Sequence, residues 1–349
     1  MNLMKKLLLN KLFLTGFVII SGLFLVSIFY FIVFKDHIPT TSLLFAADGK
    51  PLPAPYSFKK FPPFGTDGFG RHLLIVMIVG TKYTIAAALI ITFLRVFPSI
   101  IFGLILHFYF NKLERPIKSM VDSLNYFPMT LLAYLLLNVI LIQDVSMILV
   151  DGALVEGAQP LPYWHRVVLF IIILAALFVP TNSVLIANEV KIIMNKEFIE
   201  CSRVLGATNW RIVSKHIKPF LVPQIAIIFI RDFIQSLILM SHLAVLGLFI
   251  GGYYFREDLF GQTQKVSLSN EWAGLLGMWW EFLWTTYPWI SFIPILFITI
   301  LILSAKGMME GLKVELALMD NLRETPLKRE NLLVPESLAP FERIRNYSK

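Results

Sequence analysis

Charge is scarce in this chain. Only 15% of its 349 residues are Asp, Glu, Lys or Arg, and 57% are hydrophobic. An ordinary soluble domain carries about 25% charged residues, so that deficit excludes a soluble globular fold. Several apolar runs instead reach the roughly 20 residues that a membrane-spanning helix needs. Cysteine is nearly missing. The single Cys201 excludes an intramolecular disulfide. The patterns of common chemistries are absent too. No Gly-x-x-x-x-Gly-Lys-Ser/Thr loop offers to cradle a nucleotide phosphate, so the chain is not expected to hydrolyse ATP. There is no His-Glu-x-x-His or Cys-x-x-Cys metal pattern and no Gly-x-Ser-x-Gly nucleophile turn. Asp232 is the only acid clearly inside an apolar run. That argues against a proton-driven carrier, which needs buried titratable relays.

What the chain does have is a set of long apolar runs and an uneven distribution of cations. The runs predict six spans: Leu12 to Phe34, Ile85 to Phe110, a third from after Lys118 to about Gln143, Val167 to Ala187, Phe220 to Phe249, and Tyr287 to about Ser304. The first has a basic start, Lys5, Lys6 and Lys11, but is too long for a cleaved signal peptide and shows no small-residue cleavage site. With these spans the predicted cytosolic segments hold 20 Lys and Arg, the external ones 9, and the spans 2. This is the positive-inside pattern, and it accounts for the net charge of +8 without nucleic acid. The expectation is an all-α integral membrane protein of six transmembrane helices, with both termini in the cytosol and the lipid bilayer as its solvent.

Between the spans the composition changes. Lys35 to Leu73 is external and rich in proline (Pro39, Pro51, Pro53, Pro55, Pro62, Pro63), which favours extended structure and turns. Asp144 to His165 is acidic and external. Gly274 to Trp284 is apolar but short, which predicts a re-entrant or interfacial segment. Trp279, Trp280, Trp284 and Trp289 are placed in an aromatic belt. The polar tail, with Pro326, Pro335 and Pro340, is read as without fixed structure or laid on a partner. The domain reading is therefore residues 1–34 for the tail and first helix, 35–73 for the proline-rich segment, 74–313 for the transmembrane unit and 314–349 for the cytosolic tail.

A few polar residues interrupt the spans. Arg95 must face the bundle, a partner or a water-filled path, or snorkel, because an arginine at membrane depth costs roughly 2.5–3.5 kcal/mol on insertion scales. Arg231 and Asp232 are adjacent on a helix and so are expected to pair with other elements, near the cytosolic end of their span. His242, Asn125 and Asn138 read as hydrogen-bonded contacts between helices. Arg95, Arg231, Asp232 and His242 are also the candidates for lining a pathway.

The most informative stretch is the basic loop Glu197 to Pro223, which contains Arg203, Arg211, Lys215 and Lys218. Phe198, Ile199, Val204 and Leu205 fall at helical spacing. Gly206 then offers a left-handed stop. A second helical run carries Trp210, Ile212, Val213 and Ile217, and Pro219 is expected to stop or kink it. A helix–turn–helix with one apolar face suits a groove on another protein. An ordinary cytosolic loop lying on lipid headgroups fits equally.

That loop resembles the EAA loop of ABC importer permeases. Glu200-Cys201-Ser202 stands for Glu-Ala-Ala, Gly206 falls at the family's spacing, and Pro219 closes the motif. Cys201 and Ser202 replace alanines, and Lys218 stands where a leucine is usual. Further matches follow in order. Gly65-Thr66-Asp67-Gly68-Phe69-Gly70-Arg71 resembles the Gly-Thr-Asp-x-x-Gly-Arg-Asp stretch of C-type permeases of oligopeptide and dipeptide importers, with His72 for the final Asp. Gly80-Thr81-Lys82 is similar to the next Gly-x-Arg element. Asp122 and Pro128 match an Asp and a Ser-Ile-Pro-like kink. Leu243 to Leu248 resembles Leu-Ser-Phe-Leu-Gly-Leu, and Glu271 to Leu276 resembles x-Trp-Gly-x-Met-Leu, with residues 251–267 between them as an insertion.

The resemblance covers roughly Phe64 to Lys313. It implies the type I ABC importer permease fold in a bacterial cell membrane, with residues 197–219 as a coupling helix. Glu200, Cys201, Ser202, Gly206, Ala207, Trp210 and Pro219 would form the contact with an ATPase. Glu200 would cap or salt-bridge there, and Gly206 would make the turn. The implied partners are a second, B-type permease, two ABC ATPase subunits that bind ATP and Mg, and an extracellular substrate-binding protein. The chain itself would hold no cofactor. Oligopeptides or dipeptides are the expected substrates, with nickel or a metallophore as the alternative. A secondary transporter or a membrane scaffold is the reading from another class.

Overall fold

The computed structural model describes residues 3–46, 48–52, 54–124, 126–141, 147–150, 153–156, 161–257 and 263–330. Helices dominate them. α1 (Leu3–Leu9) leads into α2 (Lys11–Phe34) at Asn10, whose Oδ1 accepts the N–H groups of Leu12 and Phe13 at 3.1 and 3.2 Å and so caps α2. The proline-rich stretch that follows is non-helical and holds one short antiparallel pair, β1 (Leu44–Phe45) with β2 (Pro51–Leu52). Next come α3 (Leu73–Tyr109), α4 (Asn111–Leu124), α5 (Met129–Leu141) and the antiparallel pair β3 (Met147–Val150) with β4 (Ala153–Glu156). α6 (Tyr163–Ala176), α7 (Val179–Met194), α8 (Glu197–Val204), α9 (Asn209–Arg211) and α10 (Lys218–Val245) carry the chain to a hairpin of β5 (Tyr253–Glu257) and β6 (Thr263–Ser267). α11 (Trp272–Trp279) and α12 (Trp289–Glu330) complete the described chain.

Among the described residues, five helical stretches are long and apolar enough to cross a membrane: Lys11–Phe34, Leu73–Tyr109, Tyr163–Met194, Asn209–Val245 and Trp289–Leu318. A sixth arises if Arg115–Leu124 and Met129–Val139 are taken as one span. They meet at 79° just ahead of α5, where Pro128 was expected to put a kink; its carbonyl accepts the N–H groups of Leu131 and Leu132 and so starts α5. The fold is thus the all-α membrane bundle that the hydropathy predicts.

Several boundaries differ from the sequence reading. α3 begins at Leu73, well before Ile85, because its first turns are buried rather than looped. α12 does not end near Ser304 but continues in one helix to Glu330, so the part of the tail up to Glu330, Pro326 included, is helical rather than without fixed structure; Pro335 and Pro340 lie outside the described residues. Residues 251–267 include the β5–β6 hairpin. Trp279 is not in an aromatic belt: it is buried in the core with Trp272, whereas Trp284 is exposed.

Among the described residues, two main cores occupy opposite ends of the bundle, beside a small cluster of Leu106, Val121, Val184 and Ala187. The larger joins the start of α3 (Leu73, Met77) to the end of α10 (Met240, Leu243), to α11 and to α12. Its close fit depends on Gly80, where a Cβ would stand 2.3 Å from the Asn270 carbonyl oxygen. With no side chain there, the 270–272 backbone lies against α3, and Trp272 donates its N–H to Thr84 Oγ1 and its indole N–H to the Met77 carbonyl, both at 2.8 Å. The Gly-Thr-Asp turn closes over this junction. Asp67 accepts from the N–H groups of Phe69 and Arg71 and pairs with Arg71 Nε at 2.6 Å, while Arg71 Nη1 reaches Asn270 Oδ1 at 3.2 Å. The smaller core packs the end of α7 against α8, the α9 region and the start of α10.

Candidate functional site

The smaller core holds a knuckle at the end of the bundle. α8 ends in a left-handed Gly206 with φ +80°. The Gly206 N–H donates to the Arg203 carbonyl at 2.9 Å and the Ala207 N–H to the Ser202 carbonyl at 3.0 Å, which is a Schellman closure of the helix. Thr208 then caps α9, its Oγ1 accepting the Arg211 N–H at 3.4 Å. Both limbs turn isoleucines inward: Ile199 of the first and Ile212 and Ile217 of the second are fully buried against Val190, Ile193 and Leu221. The tip faces outward. Val204, Leu205 and Trp210 are 88%, 87% and 79% exposed. Glu200 and Cys201 are exposed on α8, and Ser202 bonds back to the Phe198 carbonyl at 2.8 Å. Phe198 stacks on Phe220 with ring centroids 5.4 Å apart, and the Lys196 ammonium sits 4.9 Å over the same ring.

Pro219 does not stop the second limb. α9 passes through a π turn, Ile212–Ile217, straight into α10. A wide turn tolerates the missing proline N–H because the Lys218 N–H already reaches back to the Val213 carbonyl. The knuckle is therefore continuous with a spanning helix on one side and separated from α7 by only Asn195 and Lys196 on the other.

Above the knuckle, α3, α7 and α10 meet around a polar network. Asp232 is fully buried and Arg231 is not far from it in space, contrary to the expectation that neighbours on a helix would look elsewhere. The long arginine side chain folds back, placing Nη2 3.0 Å from Asp232 Oδ1 and 2.8 Å from Asn182 Oδ1. Asn182 also donates its amide to Asp232 Oδ2. The network stands about 20 Å along α10 from Lys218 at 1.5 Å per residue, which places it midway rather than at the loop end.

Arg95 does not snorkel. It is fully buried, with Nε donating to the Leu174 carbonyl at 3.0 Å and the guanidinium 4.0 Å over the Phe178 ring. The break between α6 and α7 ahead of Pro180 frees the Leu174 carbonyl, which Arg95 of α3 then satisfies, while Ser99 of α3 donates at 3.1 Å to the carbonyl of Val179 at the start of α7, shared with the Ser183 hydroxyl. His242 is exposed, with Nδ1 3.4 Å from Thr130 Oγ1. Asn138 has a buried Oδ1 with no hydrogen-bond partner among the described residues. Asn125 lies outside the described residues.

So the residues that the sequence reading assigned to coupling, Glu200, Cys201, Ser202, Gly206, Ala207 and Trp210, come together at one knuckle, with Pro219 two residues beyond its buried Ile217. Arg231 and Asp232 come together in the bundle, Asp232 lies within electrostatic reach of Arg95, and His242 stands apart. Asn182 was missed. Its signal was the polar run Pro180-Thr181-Asn182-Ser183 in the midst of an apolar span.

Residues 99–313 match the family model described as binding-protein-dependent transport system inner membrane component. Among curated proteins, the chain is similar to glutathione transport system permease protein GsiD of Pectobacterium atrosepticum, 25% identical over 53% of this chain and 54% of the relative. The GsiD protein of an Escherichia coli O6:K15:H31 strain is 26% identical over the same shares. A putative peptide transport system permease protein of Brucella suis is 23% identical over 58% of this chain and 62% of its own length. The chain thus spans little more than half the length of the curated relatives it matches. With the match covering the fifth and sixth spans and the knuckle between α7 and α10, the chain belongs to the family of binding-protein-dependent transport system inner membrane components.

Proposed function

We propose that this chain is a transmembrane permease subunit of an ATP-driven importer, and that its substrates are short peptides. One observation carries the coupling role: an apolar tip, Val204, Leu205 and Trp210, is held exposed by three buried isoleucines. Exposed apolar side chains on a rigid support are what a groove on a partner recognises. The tip would sit in the cytosol and seat in a cleft of an ABC ATPase. ATP-driven closure of two such ATPases would shift α8, and with it α7 and α10, as a rigid-body movement of the bundle. ATP hydrolysis belongs to those separate subunits. A second permease would complete the path, since one bundle of this size does not enclose it, and an extracellular binding protein would deliver substrate. The glutathione and peptide systems named for the relatives support a peptide substrate.

The exposed Cys201 provides the test. In membranes from cells expressing the full complex, a short bifunctional thiol reagent should link Cys201 to a cysteine placed in the ATPase cleft, and vesicles should take up a labelled di- or tripeptide only with ATP. Uptake that persists in a preparation free of any ATP-hydrolysing subunit would overturn the reading.

A further inference from the structure

α10 carries two unlike faces along its middle. Asp232, Ser236, Leu239, Met240 and Leu243 are buried against the bundle, where Ser236 Oγ lies 3.5 Å from Thr92 Oγ1 of α3. Arg231, Gln235, Ile238 and His242 follow at spacings of four, three and four, so they form one stripe on a neighbouring face. That stripe is open. Gln235, Ile238 and His242 are exposed, and 35% of the Arg231 side chain is accessible. Arg231 and Gln235 border a cavity of about 310 Å³ between α4, α7 and α10, together with Thr181, Asn188, Asp122 and Lys118. A guanidinium and an amide turned toward lipid at mid-span would be costly, so such a stripe faces water, a ligand or another subunit. Arg231 is also incompletely used. Nε and Nη2 bond Asp232 and Asn182, and Nη1 bonds no described residue. Arg95 is within electrostatic reach of Asp232, so two guanidinium groups act on one carboxylate.

We propose that Arg231, Gln235 and His242 of α10 line the substrate path, and that Arg231 Nη1 and the Gln235 amide receive the carboxylate or backbone carbonyls of a passing short peptide. The inference rests on the importer reading above and adds the surface that meets the substrate. An amide and a guanidinium fork suit it chemically: both recognise oxygen acceptors shared by all peptides and neither selects a side chain.

The test is thiol labelling in the assembled, reconstituted transporter, with each modified residue identified by mass spectrometry so that Cys201 is followed separately. Gln235→Cys and His242→Cys should react with a membrane-impermeant reagent. Phe97→Cys, on an exposed apolar position of α3, should not. A transported tripeptide should slow labelling at residue 235 severalfold, and its C-terminal amide should protect less. Labelling at 235 no faster than at 97 would overturn the proposal, and so would fast labelling unaffected by a tripeptide that the same preparation imports. Absence of any peptide uptake by the unmodified complex would instead sink the substrate class, so the two readings fail separately.

Discussion

Asn182 of α7 and Asp232 of α10 meet side chain to side chain in the middle of the bundle, with Arg231 closing the triangle. α7 and α10 are also the two helices that run into the knuckle. The network thus ties the two limbs of the knuckle together well above its tip, and in the proposed coupling role a push on α8 would reach both helices at once. Removing one partner of a fully buried ion pair costs on the order of 3–5 kcal/mol; Asp232 is buried but 35% of the Arg231 side chain is accessible, so solvation of the remaining charge offsets part of that cost here. Asp232→Leu should therefore lower the melting temperature of the purified protein sharply. Asn182→Leu should cost less, since Arg231 and Asp232 keep each other. Equal melting temperatures for Asp232→Leu and wild type would remove the network from the account.

Gly206 adopts φ +80°, which proline cannot reach and asparagine tolerates, and a Cβ there meets nothing within 4 Å. Gly206→Pro should abolish uptake while the subunit remains in the membrane, and Gly206→Asn should retain it. Glu200→Lys reverses a charge at the exposed tip and should also abolish uptake. Uptake and membrane abundance measured side by side decide this, and normal uptake by both Gly206→Pro and Glu200→Lys would refute the coupling role.

Trp210 and Ile212 are two residues apart and have opposite exposures. Trp210→Ala should leave thermal stability unchanged and weaken co-purification of the ATPase subunits. Ile212→Ala should cost about 2–4 kcal/mol of stability, as large-to-small changes in a closed core do. The comparison separates docking from folding, and a destabilised Trp210→Ala protein with undiminished ATPase binding would argue against a docking tip.

Glu271 caps α11 at the other end of the bundle, with Oε2 2.6 Å from the Gly274 N–H. Burial pushes its carboxyl up to about 7 from the usual 4.5, against the pull of the Gly274, Ile250 and Ala273 N–H groups. An acid raised in the fold is neutral in both states below pH 4.5. Ionisation costs folded stability progressively above that, and in full above about pH 7. The full cost is on the order of 3 kcal/mol. The melting temperature should fall from about pH 4.5 to about pH 7 and level off above it, and Glu271→Gln should flatten the profile. An unchanged slope in the variant would assign the pH dependence elsewhere.

Much of this was legible in residue order. The spans follow from apolar runs, and the knuckle follows from Ile199, Gly206 and Ile212, whose spacing specifies two short helices around a left-handed turn. The partner of Asp232 was not legible, because it lies on another helix 50 residues away and its only mark is a polar run within an apolar segment. Nor was the continuation through Pro219, since whether a proline breaks a helix depends on whether a wide turn can absorb its missing donor.

By itself the sequence determined a membrane bundle and the position of its turns, because hydropathy and glycine and proline act locally along the chain. Tertiary structure alone decided which side chains share the interior. It buried Trp279, folded Arg231 onto Asp232 and left Gln235 open beside the cavity. Those outcomes depend on which faces of distant helices meet, and no local pattern encodes that pairing.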